Sequence, residues 1–213
     1  MDWITWLKLA ITVIVGYLLG SINTAIIVGQ IKGIDIRKKG SGNAGVTNTL
    51  RTMGKKTAIF VLAGDLLKGV IACLIGLFLV GDIEGIGNLG VLAGGMAAIL
   101  GHNWPLYFGF KGGRGVLTSL AVMLMMDWRI ALISLGVFII VVAATRYVSL
   151  GSILASLALP LFALIPAYGK TPVFIIFAAA IGILIIARHI PNIKRLFAGT
   201  ESKLGDKKKE PEK

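Results

Sequence analysis

The segment Gly40-Ser41-Gly42-Asn43-Ala44-Gly45-Val46-Thr47-Asn48-Thr49-Leu50-Arg51 is built for holding an anion. Its glycines resist a regular helix and let backbone amides turn inward as a nest, while hydroxyls and carboxamides add donors. Arg51 can close over a bound phosphate with a planar fork of donors. A plain flexible linker has no use for Asn43, Asn48 and Arg51 among its glycines. A second segment, Lys111-Gly112-Gly113-Arg114-Gly115, stands just before an apolar stretch and offers backbone amides, a helix N-terminus and two cations. It lacks the Gly-x4-Gly-Lys-Ser/Thr spacing of a nucleotide-hydrolysing loop, and no such spacing occurs elsewhere.

The third set is split. Arg146, Ser149 and Ser152 open one apolar stretch, and Arg188, His189 and Asn192 close the last. His189 and Asn192 are three apart and share a helical face if the turn persists, although Pro191 argues for a bend. Asp65 and Lys68, also three apart, lie inside an apolar stretch. Ionisable groups at that depth are costly, so they mark either a functional site or an ion pair that holds helices together; we class them as structural, with Glu201. His102 fits a structural hydrogen bond at least as well as catalysis. With two His, one Cys and no His-x3-His, no metal site and no cofactor are expected.

These segments need a scaffold, and composition says which kind. Of 213 residues, 56% are hydrophobic and only 15% charged, too little polar sequence to cover a soluble domain. Apolar spans are expected at 3–30, 57–80, 86–100, 115–126, 130–145, 149–167 and 171–187. The fold class is therefore all-α: a polytopic membrane protein of about seven transmembrane helices, some short or broken. The stretch 115–145 is read as two short helices broken at Asp127-Trp128-Arg129. One helix there would bring Arg146 out on the far face from Arg114. The N-terminal apolar run is interrupted by Lys8, has no clean cleavage site and is read as a retained helix.

The net charge of +12 is concentrated at 32–56 and 188–213, which makes those blocks cytoplasmic and the N-terminus external. Residues 1–200 are expected to form a single transmembrane domain, with 201–213 a charged cytoplasmic tail, disordered past Gly205. Gly16-x3-Gly20 and Gly90-x3-Gly94 are read as close helix packing. Cys73, alone in an apolar run, is read as packing.

Taken in order, the three sets resemble those of the bacterial membrane acyl-phosphate:glycerol-3-phosphate acyltransferases. Gly-Ser-Gly-Asn-x-Gly-x-Thr-Asn-x2-Arg at 40–51 matches the first family motif. Lys-Gly-Gly-Arg-Gly-Val-x-Thr at 111–118 resembles the second. Arg146 to Ser152, with His189-x2-Asn192-Ile193-x-Arg195-Leu196-x2-Gly199-x-Glu201, is similar to the third. Val46, Arg114 and Leu117 stand where alanine, lysine and alanine are usual. The Arg114 change keeps the charge and leaves open whether Lys111 or Arg114 bears most on phosphate; Lys111 is taken as the matched cation.

The resemblance implies acyl transfer from acyl phosphate to the 1-hydroxyl of glycerol 3-phosphate, giving lysophosphatidic acid and phosphate. It implies a multi-pass protein of the bacterial inner membrane whose site faces the cytoplasm, among membrane lipids and with no nucleic acid. Ser41, Arg51, Lys111, His189 and Asn192 then carry the reaction. Gly40, Gly42, Asn43, Thr47 and Asn48 join them from the first loop, and Gly112, Gly113, Arg114 and Gly115 from the second. Arg146, Ser149, Ser152 and Arg188 complete the substrate-binding set. Either His189 or the departing phosphate takes the hydroxyl proton.

Three other readings compete. A transporter of phosphorylated anions also uses basic, glycine-rich sites among broken helices, but no internal repeat is evident. An acyltransferase fed by acyl-CoA is disfavoured because the His-x4-Asp signature is missing. A structural scaffold explains the helices and glycines but not the polar clusters.

Overall fold

The structure, a computed structural model, describes residues 1–83 and 87–206. Residue 86, where the third apolar span was expected to begin, and tail residues 207–213 lie outside the described residues.

Helix α1 (Trp3–Ser21) starts at Asp2, whose carboxylate accepts from the amide of Thr5 at 2.9 Å. The apolar run does not continue unbroken to residue 30. Asn23, fully buried, accepts from the amide of Ile26 at 3.1 Å and opens a separate helix, α2 (Thr24–Ile31). An asparagine that caps a helix interrupts a run whose hydropathy is continuous. A short loop and α3 (Val46–Met53) lead into α4 (Lys55–Val80), 26 residues long.

Helix α5 (Leu89–Asn103) is the buried centre of the bundle. Its glycines let α1 and α4 approach to backbone contact. A Cβ on Gly20 would lie 2.2 Å from the Ala98 carbonyl oxygen, and one on Gly76 would lie 1.9 Å from that of Gly90. The small-residue spacings are therefore packing surfaces, with Gly16 facing Gly94 and Gly94 facing Ala72.

The 115–145 stretch is two helices, α6 (Val116–Met126) and α7 (Trp128–Thr145). Asp127 ends the first and caps the second. Its carboxylate accepts from the amides of Arg129 and Ile130 at 2.8 and 3.3 Å, and it pairs with the side chains of Arg129 and Lys170. Helix α8 (Val148–Ala163) stops earlier than the expected 167, and a 3₁₀ turn at Pro166–Tyr168 follows. Helix α9 (Pro172–Arg188) is capped by Thr171 and bends by 56° at His189 into α10 (Ile190–Phe197).

Among the described residues, three segments are long and apolar enough to cross a membrane by themselves: Trp3–Ile31, Lys55–Val80 and Trp128–Thr145. The bent α9–α10 pair makes a fourth, and α6 and α8 are shorter apolar helices. Phe78, Ile140, Ile176 and Ile183 stand 81%, 69%, 69% and 69% exposed, which suits lipid and not water. The core centres on Ile99, Val122, Met123, Ile130 and Ile181, with a smaller cluster of Ala25, Ile26, Ile36, Ala44 and Val61 under the glycine-rich loop.

Candidate active site

The C-terminal ends of α5 and α9 meet the N-terminal ends of α6 and α8 and the first half of α4 around one cavity of about 500 Å³. Helix α3 and the 40–45 loop form one wall. The loop is folded by Asn48, which is 1% exposed: its Oδ1 accepts from the Ser41 amide at 2.8 Å, and its Nδ2 donates to the carbonyls of Ile36 and Lys39 at 3.1 and 3.0 Å. Gly40 must be glycine, because its φ is +60° and a Cβ would fall 2.1 Å from Asn48 Oδ1. Asn48 thus spends its amide on the loop, and Ser41, Asn43, Thr47 and Arg51 face the cavity. Gly42, also at positive φ, gives its amide to the Lys39 carbonyl and stays outside the lining.

The second loop divides in two. Arg114 and Gly115 reach the cavity wall; Lys111, Gly112 and Gly113 do not. Gly109 and Phe110 both have positive φ, and Lys111 leaves that turn exposed. Gly112 and Gly113 are packing glycines: added Cβ atoms would meet the His102 carbonyl oxygen and His102 Nε2, each at 2.1 Å. The Gly113 amide donates to the His102 carbonyl at 3.1 Å. Arg188 sits over the Trp104 ring and donates to the Gly113 carbonyl at 2.8 and 3.2 Å. Its place is behind the loop, as a brace. Arg114 points inward, where burial and then the guanidiniums of Arg195, Arg188 and Arg51 push its pKa down to about 10, against the opposing pull of Glu201. It stays protonated, but in a crowd of like charges.

His189, 2% exposed, lies at the α9–α10 bend with Nδ1 2.8 Å from the Ile185 carbonyl. A carbonyl only accepts, so Nδ1 carries the proton and Nε2 is left as an acceptor. Asn192 donates through Nδ2 to Glu201 Oε1 at 2.7 Å, and its buried Oδ1 has no hydrogen-bond partner among the described residues. Glu201 also accepts from Arg195 Nε at 2.7 Å. Burial pushes the Glu201 carboxyl up, but the hydrogen bonds from Asn192 and Arg195 outweigh this and hold it below the ordinary range. Ser149 and Ser152, both buried, line the cavity from the first turns of α8. Arg146 does not line it: its guanidinium donates to the Leu204 carbonyl.

Below the polar groups lies a buried cluster. Lys68 Nζ is 3.0 Å from Asp65 Oδ1, 2.8 Å from His102 Nδ1 and 3.0 Å from the Ile22 carbonyl. Asp65 and His102 reach the cavity and Lys68 does not. Arg195, His102 and the tail residues Thr200 and Ser202 line the site without having been among the candidates. Arg195 had a signal, its i, i+3 spacing from Asn192; the tail contacts had none. A second cavity of about 90 Å³ adjoins the first, sharing Val116, Leu117, Phe138 and Ser152, and continues between α6, α7 and α8 past Leu120, Ala155 and Leu159. Its lining is apolar except for serines.

Lipid-facing helices around a cation-lined cavity define an all-helical integral membrane protein with an anion-competent polar site. The family model described as glycerol-3-phosphate acyltransferase matches residues 10–199. A glycerol-3-phosphate acyltransferase of Clostridioides difficile (strain 630) is 48% identical over 202 residues, covering 93% of this chain and 96% of the relative. One from Thermoanaerobacter sp. (strain X514) is 46% identical over 200 residues, covering 92% and 96%. The crystal structure of PlsY, an integral membrane glycerol 3-phosphate acyltransferase, in its glycerol 3-phosphate form superposes with a TM-score of 0.85 at 40% identity, over 92% of this chain and 96% of that one. Its lysophosphatidic acid form gives 0.80 at the same identity, over 92% and 95%. The chain belongs to the glycerol-3-phosphate acyltransferase family, and it is a membrane acyltransferase.

Proposed function

We propose that the chain transfers a fatty acyl group from acyl phosphate to the 1-hydroxyl of glycerol 3-phosphate. The products are lysophosphatidic acid and inorganic phosphate, in the first acylation of bacterial phospholipid synthesis. The observation that carries the donor assignment is the crowding of Arg51, Arg114 and Arg195 around one cavity, with Glu201 the carboxylate that answers Arg195. These guanidiniums stand in different walls of the cavity, on α3, just before α6 and on α10, so the phosphate of each reactant can meet a cation of its own. The adjoining apolar cavity suits an acyl chain, whose carboxyl end then lies beside the cations. Glycerol 3-phosphate and lysophosphatidic acid in the forms of the related structure agree with the acceptor and product.

Ser41 and Arg51 hold the phosphate of the donor, which polarises the mixed anhydride and stabilises the leaving group. Arg114 takes the role that the motif alone gave to Lys111, and with Gly115 it receives the phosphate of glycerol 3-phosphate, near Ser149 and Ser152. Asn192 Oδ1 and His189 Nε2 are both acceptors and orient the glycerol hydroxyls. The 1-hydroxyl oxygen attacks the acyl carbon and the carbon–oxygen bond to phosphate breaks. The hydroxyl proton ends on the departing phosphate. The anhydride supplies the driving force, so the reaction needs no cofactor.

Seven spans, an external N-terminus and a cytoplasmic site in the inner membrane complete the reading. At the cavity stand the first half of α4, the C-terminal end of α5, the N-terminal ends of α6 and α8 and the C-terminal end of α9, an order that supports that count, and the basic blocks support that orientation. Residues 1–200 form one domain, and Glu201 and Ser202 of the tail complete the cavity wall. The test is phosphate release by purified protein given palmitoyl phosphate and glycerol 3-phosphate, with palmitoyl-CoA as a parallel donor. Release is expected only with both substrates and is lost in Arg51→Ala. Turnover with the CoA donor alone overturns the donor assignment.

A further inference from the structure

The chain does not leave the site after Glu201. Its next residues run back along the cavity mouth toward the junction of α7 and α8. The Leu204 amide donates to the Arg146 carbonyl at 2.7 Å, and the Arg146 guanidinium returns donors to the Leu204 carbonyl at 2.7 and 3.2 Å. Lys203 places its ammonium 5.4 Å from the centre of the Tyr147 ring, and Asp206 accepts from the Lys203 amide at 2.7 Å to close the turn. Arg146 itself sits at φ +65°, a conformation that a non-glycine residue holds only when its surroundings fix it.

This segment touches the site at Arg51. Arg51 Nη2 donates to the carbonyls of Ser202 and Lys203 at 3.1 and 3.3 Å, while its Nε is buried with no hydrogen-bond partner among the described residues. One edge of the guanidinium is thus pinned by main chain, and another donor is left in the cavity wall.

We infer that residues 201–204 form a strap that sets the Arg51 guanidinium for phosphate, and that Arg146 is a positioning residue acting through this strap. The inference rests on the reading that Arg51 holds the donor phosphate. A long side chain fixed before substrate arrives does not pay for its own ordering on binding. Arg146 therefore contributes at a distance, as a latch, and the substrate-binding role drawn for it from sequence is replaced.

Purified Arg146→Ala, Arg146→Lys and a chain ended after Glu201 test this. Each is assayed for KM and kcat with palmitoyl phosphate, and the full-length proteins are treated briefly with trypsin, with cleavage after Lys203 followed by mass spectrometry. In the parent protein Lys203 is exposed, but its peptide bond to Leu204 is held by Arg51 on the carbonyl and by the Arg146 carbonyl on the amide, which slows cleavage. Arg146→Ala frees that bond and raises KM for the acyl donor about five- to tenfold, the cost of freezing one long side chain, with kcat changed less than about twofold. Arg146→Lys recovers part of both, and the shortened chain matches Arg146→Ala. An unchanged KM in Arg146→Ala, cut or uncut, overturns the inference, as does equal cleavage of the parent. If the shortened chain does not fold, the Arg146 pair decides alone. Arg51→Ala separates the two readings: if it leaves KM and kcat intact the site assignment has failed, whereas if it is crippled and the strap variants are not, only the strap has.

Discussion

Replacing Lys68 by methionine removes one charge from the most deeply buried ion cluster of the protein. Lys68, Asp65 and His102 are 6%, 1% and 3% exposed, and the Lys68 end of the cluster is closed off from the cavity that Asp65 and His102 reach. Lys68 alone joins three elements, through Asp65 on α4, His102 on α5 and the Ile22 carbonyl between α1 and α2. Without it the Asp65 carboxylate keeps only His102, at 3.5 Å. Removing one member of such a pair costs about 3–5 kcal/mol, because the other charge stays buried. At roughly 2–4 °C per kcal/mol for a chain of this size, the melting temperature falls by about 6–20 °C. The four tryptophans report melting in detergent by intrinsic fluorescence. Asp65→Asn with Lys68→Met removes both charges and is expected to recover most of the loss, with activity returning alongside it. A Lys68→Met protein that melts within a degree or two of the parent refutes the reasoning. Recovery of stability without activity would show that the cluster serves the chemistry.

Close helix packing predicts that Gly20→Ala costs about 1–3 kcal/mol, since the new Cβ meets the Ala98 backbone. Gly136→Ala, with nothing within 4 Å, is the control and leaves melting unchanged or slightly raised. Glu201 makes docking of the strap pH-dependent. Its carboxyl is held below the ordinary range, so its contribution is complete above the unfolded value and is lost as pH falls through the lower folded one. Hydrogen exchange at the Lys203 and Leu204 amides, corrected for the intrinsic rate at each pH, is therefore expected to rise only on acidification below the ordinary glutamate range, and Glu201→Gln shows tryptic cleavage after Lys203 already at neutral pH. A pH-independent parent contradicts this.

The fold was legible where a physical signal is local. Continuous hydropathy located the apolar helices, and the side on which Arg146 must emerge placed a break at Asp127, where the structure adds that the carboxylate caps α7. Asn23 caps a helix in the same way, but one asparagine in a long apolar run is outweighed by its neighbours in any window. The motifs located the cavity's walls, yet not which side chain in each motif faces inward. Lys111 and Arg114 look equivalent in sequence, and the turn at Gly109 and Phe110 separates them. Arg188 and Arg146 carry the right charge and sit at the right helix ends, but their partners are carbonyls distant in the chain. Main-chain acceptors leave no trace in residue type.

Helix α6 has 11 residues, a length of about 16 Å at 1.5 Å per residue. The hydrocarbon layer is about 30 Å thick, so α6 spans roughly half of it. Both ends of this helix are polar, Arg114 and Gly115 at one and the Asp127 ion pairs at the other. Polar ends at that separation fit a membrane that dips beside α6, or lipid headgroups that reach inward toward those charges. Such a dimple brings water and lipid chains to a common depth. A thicker bilayer, made from longer lipid chains, makes that deformation more expensive, and turnover in vesicles then depends on the thickness of the very membrane the enzyme helps to build.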